Sequence, residues 1–301
     1  MKELYRQCNI CPRGCGVDRE STVGICRSGS KAVISRVSRH LYEEPAICGA
    51  GGAGTVFFSG CNLGCVFCQN SVISRRSVGK EFDEKELSEL FLTVAASGVS
   101  SLDLVTPTHF TPTVAAALSL VKDKLNIPVV WNSGGYEGVQ SLELLRGLVD
   151  VYLPDFKYYS PELSAKYSHA ADYRERAEEA LSFMYDMLGA AELDSDGIMK
   201  KGIIVRHLVL PGQRKDSIAC LRRLAEILPV GGIRLSLMSQ YTPDFYKGED
   251  KNLRRRLTTF EYESVRTEAL RLGFDGYMQA PSSASAEYTP DFSGTFSFDL
   301  S

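Results

Sequence analysis

Thr55-Val56-Phe57-Phe58-Ser59-Gly60-Cys61-Asn62-Leu63-Gly64-Cys65-Val66-Phe67-Cys68 joins an apolar run of strand length to a loop whose three cysteines are spaced C-x3-C-x2-C. An unbroken apolar run of this length reads as a buried strand emptying into a functional loop. The runs Ser101–Val105, Pro128–Trp131, Asp150–Leu153, Gly202–Leu208 and Ile233–Met238 are also strand-length. Amphipathic stretches fall between and after them, at 83–97, 111–125, 139–147, 172–189, 214–228 and 259–272. Asp83 followed by Glu86 resembles a helix-opening capping box with Asp in place of Ser or Thr. Six strand-then-helix units predict an α/β fold with a parallel sheet and helices outside it. An open doubly wound sheet and an incomplete barrel both satisfy the pattern. In either, ligands sit at the carboxyl ends of the strands, where the cysteine loop lies.

With 44% hydrophobic and 24% charged residues in 301, the chain has the composition of a globular protein with a large core. Its 34 basic and 37 acidic side chains give a formal charge of -3, so no overall basic field gathers nucleic acid or anionic lipid. Met1-Lys2-Glu3-Leu4-Tyr5-Arg6 has no apolar signal core, and no stretch approaches the roughly 18 apolar residues of a membrane span. The expected location is the cytoplasm, with neither nucleic acid nor membrane as partner. In that reducing compartment nine cysteines do not read as disulfides. Seven of them cluster, Cys8, Cys11, Cys15 and Cys26 and then Cys61, Cys65 and Cys68, as thiolates recruited to metal or iron–sulfur sites do.

Three close thiolates with no clear fourth partner leave one iron of a [4Fe–4S] cube open. An amino acid such as methionine can chelate that iron through its amine and carboxylate, bringing a sulfonium within electron-transfer distance. One electron then breaks a carbon–sulfur bond and releases a 5′-deoxyadenosyl radical. Phe67 between the ligands suits a shielded cluster. Three sites of a zinc knuckle are the competing reading, although zinc pairs usually arrive as C-x2-C twice. Arg206 stands late in an apolar strand run, so its guanidinium must face an anion there, for which the methionine carboxylate is the obvious candidate. His207 then points to the other face as a core histidine. Cys8-x2-Cys11-x3-Cys15-x10-Cys26 is a complete tetrahedral set for structural zinc or an auxiliary [4Fe–4S] cluster. Residues 1–50 lack apolar periodicity, so metal rather than a core is expected to hold them. Cys48 and Cys220 read as buried free thiols. Gly49, Gly51 and Gly54 spell G-x-G-x-x-G but precede a strand, which excludes a dinucleotide fingerprint and suggests a crossing of the barrel edge. Asp194–Gly197 lacks the later ligands of a calcium loop and reads as a turn. The tail from Pro281 has no helical periodicity and is expected to wrap the barrel or fray.

Cys-Pro-Arg-Gly-Cys-Gly-Val-Asp at 11–18, the cysteine stretch at 57–70, Val-Thr-Pro-Thr-His at 105–109, Arg-His-Leu-Val-Leu-Pro-Gly at 206–212 and Met-Ser-Gln-Tyr at 238–241 together resemble a particular family. The chain is similar to radical S-adenosylmethionine (SAM) proteins of the pyruvate formate-lyase activating enzyme type, in the subgroup with an N-terminal four-cysteine segment. The resemblance implies a partial (β/α)6 TIM-like barrel over 51–280, preceded by a metal-binding segment over 1–50 and followed by a tail over 281–301. It implies that Cys61, Cys65 and Cys68 hold the cluster that cleaves SAM. Thr106 and Thr108 stand where activating enzymes carry the Gly-Gly-Glu that meets the methionine amine, and either threonine is a candidate acceptor. His109 beside them is read as either a site residue or a surface helix start. Asn132 and Ser133 occupy the family's Asp-Thr position by the ribose, and Asp155 and Lys157 its Asp-Leu-Lys. Asn132, Ser133, Asp155 and the Leu153 carbonyl are thereby implied as a monovalent cation site, with Lys157 nearer the substrate and an Asp155–Lys157 ion pair as the plain alternative. Met238, Gln240 and Tyr241 fall near the adenine position. The implied reaction is hydrogen abstraction from a protein glycine, with a peptide or small metabolite as the alternative substrate and a flavodoxin or ferredoxin type electron donor. An iron–sulfur carrier or assembly module is the non-enzyme rival, but it would not need Asn132, Asp155 and Arg206.

Overall fold

Apolar runs bounded by glycine, asparagine and proline form the strands of the computed structural model, which describes residues 3–279, 292 and 296–301. In chain order the strands are β1 (Ala32–His40), β2 (Ala53–Phe58), β3 (Lys80–Phe82), β4 (Ser101–Val105), β5 (Val129–Ser133) and β6 (Val151–Pro154). There follow β7 (Glu192–Leu193), β8 (Met199–Leu208), β9 (Arg234–Met238), β10 (Gly276–Met278) and β11 (Ser297–Asp299). The six expected strands, β2, β4, β5, β6, β8 and β9, lie side by side in chain order and pair in parallel. Every residue of β2, β4, β5 and β6 is buried, as both faces of a parallel sheet beneath helices must be. The sheet continues to β10 at one end and through β1 to β11 at the other, so the described strands form an open row. That row is curved. Arg206 of β8 reaches Asn132 of β5 and Glu43 of the β1–β2 connection across its concave face. The fold is a partial barrel.

The helices are made by their apolar spacing. In Glu84–Ala95 the buried Leu87, Leu90, Phe91 and Val94 repeat at three and four residues and form one face against the sheet. Each such side chain contributes about 1.5–3 kcal/mol relative to exposure. In Tyr173–Leu188 the buried face is Tyr173, Ala177, Ala180, Leu181 and Met184. Cys220 lies on the buried face of Arg214–Ile227, and Cys48 is buried as well, so both are core thiols. The glycine-rich run ahead of β2 serves packing. A Cβ on Gly54 would come within 2.4 Å of Val94, so its bare backbone lets the Glu84–Ala95 helix sit directly on β2. Asp194 accepts from the amides of Asp196 and Ile198, closing the expected turn between β7 and β8.

The first fifty residues depart from the expectation of a segment without a core. β1 pairs antiparallel with β2 along its length, and Ala32, Ile34 and Val37 belong to the main core. Both faces of this strand are largely buried, so its composition carries no clean alternation to read. The segment that lacks strands is the shorter stretch before it. Residues 281–291 and 293–295 of the expected tail lie outside the described residues, and its last strand, β11, pairs with β1.

Asp83 accepts from the amides of Lys85 and Glu86, while Glu86 accepts from the Asp83 amide, so the capping box is complete. Replacing Asp83 by Ala is expected to cost about 1 kcal/mol in a denaturant melt. An unchanged midpoint would mean that packing alone holds the first turn.

Candidate active site

β2 ends at Phe58 and the chain turns through Gly60, whose φ of +84° suits a residue without a side chain. A Cβ there would meet Ser28 Oγ at 2.3 Å and the Cys26 carbonyl at 2.6 Å, so the loop also has no room for one. Cys61, Cys65 and Cys68 follow and line one cavity of about 200 Å³ at the carboxyl ends of the strands. Each sulfur faces a donor. The Leu63 amide points to Cys61 Sγ at 3.3 Å, Ser168 Oγ to Cys65 Sγ at 2.9 Å and Ser74 Oγ to Cys68 Sγ at 3.6 Å. Three sulfurs with one donor apiece suit anionic ligands. Burial pushes the Cys61 thiol up to about 12, with Cys65 and Cys68 adding to the rise, so metal binding here must release protons. Among the described residues no three Cys, His, Asp or Glu side chains close on one ion. A cube is gripped at separate irons, so its ligands need only ring it, and the donor set fits an iron–sulfur cluster.

β4, β5, β6 and β8 supply the wall facing the cysteines. Arg206 Nε donates to Asp155 Oδ1 at 3.0 Å, and a second guanidinium nitrogen donates to Asn132 Oδ1 at 2.5 Å. The same side chain lies 3.6 Å from Glu43, and the Lys157 ammonium bonds the other oxygen of Asp155. Burial raises the Asp155 carboxyl, but Lys157 and Arg206 together outweigh it and hold it below the ordinary carboxylate range. The anion that a guanidinium in this strand requires is therefore provided by the protein. The Asp155–Lys157 pair is present as well. Both cations sit on the carboxylate expected to meet a monovalent cation, which would have to share it.

The remaining candidates divide. Thr106 lines the cavity in a left-handed backbone conformation, φ +60°, strained for a β-branched residue and found at the end of β4 beside the cysteines. Thr108 does not reach the cavity, because its hydroxyl donates to the buried Glu137 at 2.6 Å. Ser133 and Met238 line it, as do Gln240 and Tyr241. His109 is neither at the surface nor in the cavity wall. It is 1% exposed with Nε2 2.8 Å from the Ser59 carbonyl, so it braces the cysteine loop, and burial holds its pKa near 3 and the ring neutral. His207 is a buried core histidine on the Phe156 carbonyl.

Sequence reasoning missed the acids beneath Arg206. Glu43 and Glu44 enter from the connection after β1, and Asp103 projects from β4 to accept from Asn132 Nδ2 at 3.2 Å. Asp103 Oδ1 and Glu44 Oε2 have no hydrogen-bond partner among the described residues. Burial pushes Asp103 well up and Glu44 up to about 7, their acidic neighbours adding to both. An aspartate in the middle of Ser-Leu-Asp-Leu-Val is the same anomaly as Arg206 in its strand and was legible. Glu43 and Glu44 lie outside any periodic run and offered no signal.

The structure gathers the N-terminal cysteines too. Burial and then the proximity of Cys26, Cys8 and Cys15 push the Cys11 thiol up to about 12. A Cβ on Gly24 would sit 3.4 Å from Cys26 Sγ and 3.6 Å from Cys15 Sγ, so these two sulfurs flank it closely. The segment is fastened to the barrel's cysteine loop. The Cys61 amide donates to the Cys26 carbonyl at 3.3 Å, and Arg13 donates to the Asn62 carbonyl at 2.6 Å.

Two outcomes follow from the buried charges. Arg206→Ala should cost about 3–5 kcal/mol in urea melts, because it strands Asp155 and Glu43. An unchanged melt would mean that those acids are already neutral without it. Glu44 keeps its proton in the folded chain between its ordinary 4.5 and about 7, where the unfolded chain has lost it. Stability should fall as pH rises through that window, and Glu44→Gln should gain on the unsubstituted chain across it. A stability difference that stays flat over the window would place the proton elsewhere.

Comparison with known proteins gives a consistent answer. The model of the Radical SAM superfamily matches residues 55–190, from β2 to just before β7. An uncharacterized protein of Methanocaldococcus jannaschii is 30% identical over 285 residues, covering 91% of this chain and 77% of that one. Crystal structures of Streptococcus suis SuiB share the fold at 10–11% identity, with a TM-score of 0.51 for the form bound to precursor peptide SuiA and 0.50 for the form bound to S-adenosylmethionine. Each covers 73% of this chain, which spans about half of their length, at 46% and 48%. No helix among the described residues is long and apolar enough to cross a membrane. A three-cysteine loop at the carboxyl end of the first parallel strand and the match of 55–190 agree: this chain carries a radical SAM superfamily domain.

Proposed function

We propose that the chain is an enzyme that cleaves S-adenosylmethionine reductively and abstracts a hydrogen atom from a substrate at the mouth of the barrel. The observation that carries this reading is the ring of Cys61, Cys65 and Cys68, each with a donor at its sulfur, opening on one cavity with Asn132, Asp155 and Arg206. A bound [4Fe–4S] cluster with one open iron would deliver one electron to the sulfonium, leaving methionine and a 5′-deoxyadenosyl radical. The residues prepare the place. Leu63, Ser168 and Ser74 stabilise the thiolates, and the buried wall excludes water. Arg206 and Lys157 lock Asp155, so the polar wall meets the cosubstrate preorganised. Thr106 and Ser133 present oxygens beside it.

For the substrate, the resemblance to activating enzymes favours a backbone glycine of a protein, which would become a glycyl radical. A low-potential donor of flavodoxin or ferredoxin type would provide the electron, in the cytoplasm. Cys8, Cys11, Cys15 and Cys26 would hold a second metal centre, zinc or an auxiliary cluster, and the cluster is favoured because no three such side chains among the described residues close on one ion. Anaerobically reconstituted and reduced protein should convert S-adenosylmethionine to methionine and 5′-deoxyadenosine, and Ala at Cys61, Cys65 and Cys68 together should abolish it. Turnover retained by the triple variant would sink the reading. Hydrogen recovered in 5′-deoxyadenosine from a labelled small molecule or peptide, rather than from a protein glycine, would reassign the substrate alone.

A further inference from the structure

We infer that Arg19 is the buried counter-charge of the N-terminal metal centre, a positioning residue that holds the thiolates of Cys8, Cys11, Cys15 and Cys26 and ties them to the loop of Cys61. The inference rests on the reading that those four cysteines bind metal. Arg19 is 2% exposed. Its guanidinium donates to the carbonyls of Ser28 at 3.0 Å, His109 at 2.6 Å and Gly29 at 2.5 Å, and to Cys8 Sγ at 3.8 Å. It lies over the rings of Tyr5 at 4.8 Å and Phe110 at 5.5 Å. No carboxylate among the described residues pairs with it.

Carbonyl dipoles and ring faces soften a buried positive charge but do not neutralise it, and a full charge taken from water costs several kcal/mol unless an anion stands nearby. Arg206, on the barrel cavity, has Asp155 and Glu43. Arg19 has the sulfur of Cys8 instead. Four thiolates around zinc, or around an oxidised four-iron cube, leave a dianion in either case. One buried guanidinium would stand against a dianionic centre as its charge complement.

Position adds a second role. The carbonyl that Arg19 grips at 2.6 Å belongs to His109, whose ring bonds the Ser59 carbonyl at 2.8 Å, two residues before Cys61. The Cys61 amide returns the connection by donating to the Cys26 carbonyl. The metal centre and the catalytic loop thus share one hydrogen-bonded frame with Arg19 at its hinge.

Metal analysis and chelator competition on the full chain test this, with Cys8, Cys11, Cys15 and Cys26 replaced by Ala to identify which metal belongs to the site. Unsubstituted protein should hold about four irons and one zinc, or about eight irons, against about four irons in the cysteine variant. Arg19→Gln, which keeps donors but loses the charge, should release that metal at about 10–100-fold lower chelator. Arg19→Lys should recover most of the retention, and amide exchange at Cys61 should quicken in the glutamine variant only. Equal metal retention in Arg19→Gln would overturn the inference, as would failure of both variants to fold, since the forked bonds rather than the charge would then matter. Unsubstituted protein with about four irons and no zinc would instead overturn the reading of the four cysteines, and the inference with it.

Discussion

Arg206 joins three strands and a loop. Its guanidinium takes Asn132 from β5, Asp155 from the end of β6 and Glu43 from the connection after β1, so the concave face of the sheet closes around one positive charge. β6 and β8 pair only at Val151–Gly202 and Tyr152–Ile203 before the ladder lapses, and it returns as a single bridge between Asp155 and Arg206. There the Arg206–Asp155 ion pair adds a side-chain contact to the thin backbone pairing of the cavity wall opposite the cysteines. The same concentration of charge explains the protonated acids below. Four carboxylates, at Glu43, Glu44, Asp103 and Asp155, face two cations; Asp155, bonded to both, is held below its ordinary range, while burial first and acidic neighbours next raise the other three.

Much of this was legible before any coordinates. The six parallel strands and the six amphipathic helices fall where apolar length and spacing put them, because a strand buried on both faces has no polar positions to blur its run. The cysteines were legible because thiolates at two- and three-residue gaps have few other uses. What failed did so for identifiable reasons. Thr108 and Thr106 are two residues apart with the same chemistry, yet one lines the cavity and the other turns to Glu137, a choice made by the left-handed backbone at Thr106. Arg206 was correctly required to meet an anion, but local sequence cannot say that Asp155 and Glu43 would be that anion, since they lie 51 and 163 positions away. Asp103 obeyed the rule applied to Arg206 and was passed over only because a single acid within an apolar run is quieter than an arginine.

The two cysteine sets, separate in sequence, are one structure. Gly60 admits the chain between Ser28 and the Cys26 carbonyl, and the Cys61 amide is satisfied by that carbonyl, so the first cysteine of the barrel loop is oriented by the last cysteine of the N-terminal set. Arg13, from between Cys11 and Cys15, donates to the carbonyls of Asn62 and Ser168 and so holds the same loop from its other side. A loop with few apolar contacts of its own is ordinarily mobile, because little burial opposes its conformational entropy. Here that entropy is removed by a neighbour that is itself short of core. What orders the neighbour is largely polar: Arg19 and Arg13 tie it to the carbonyls of Ser28, His109, Asn62 and Ser168, with only the small apolar cluster of Tyr5, Cys8 and Ile10 beside them.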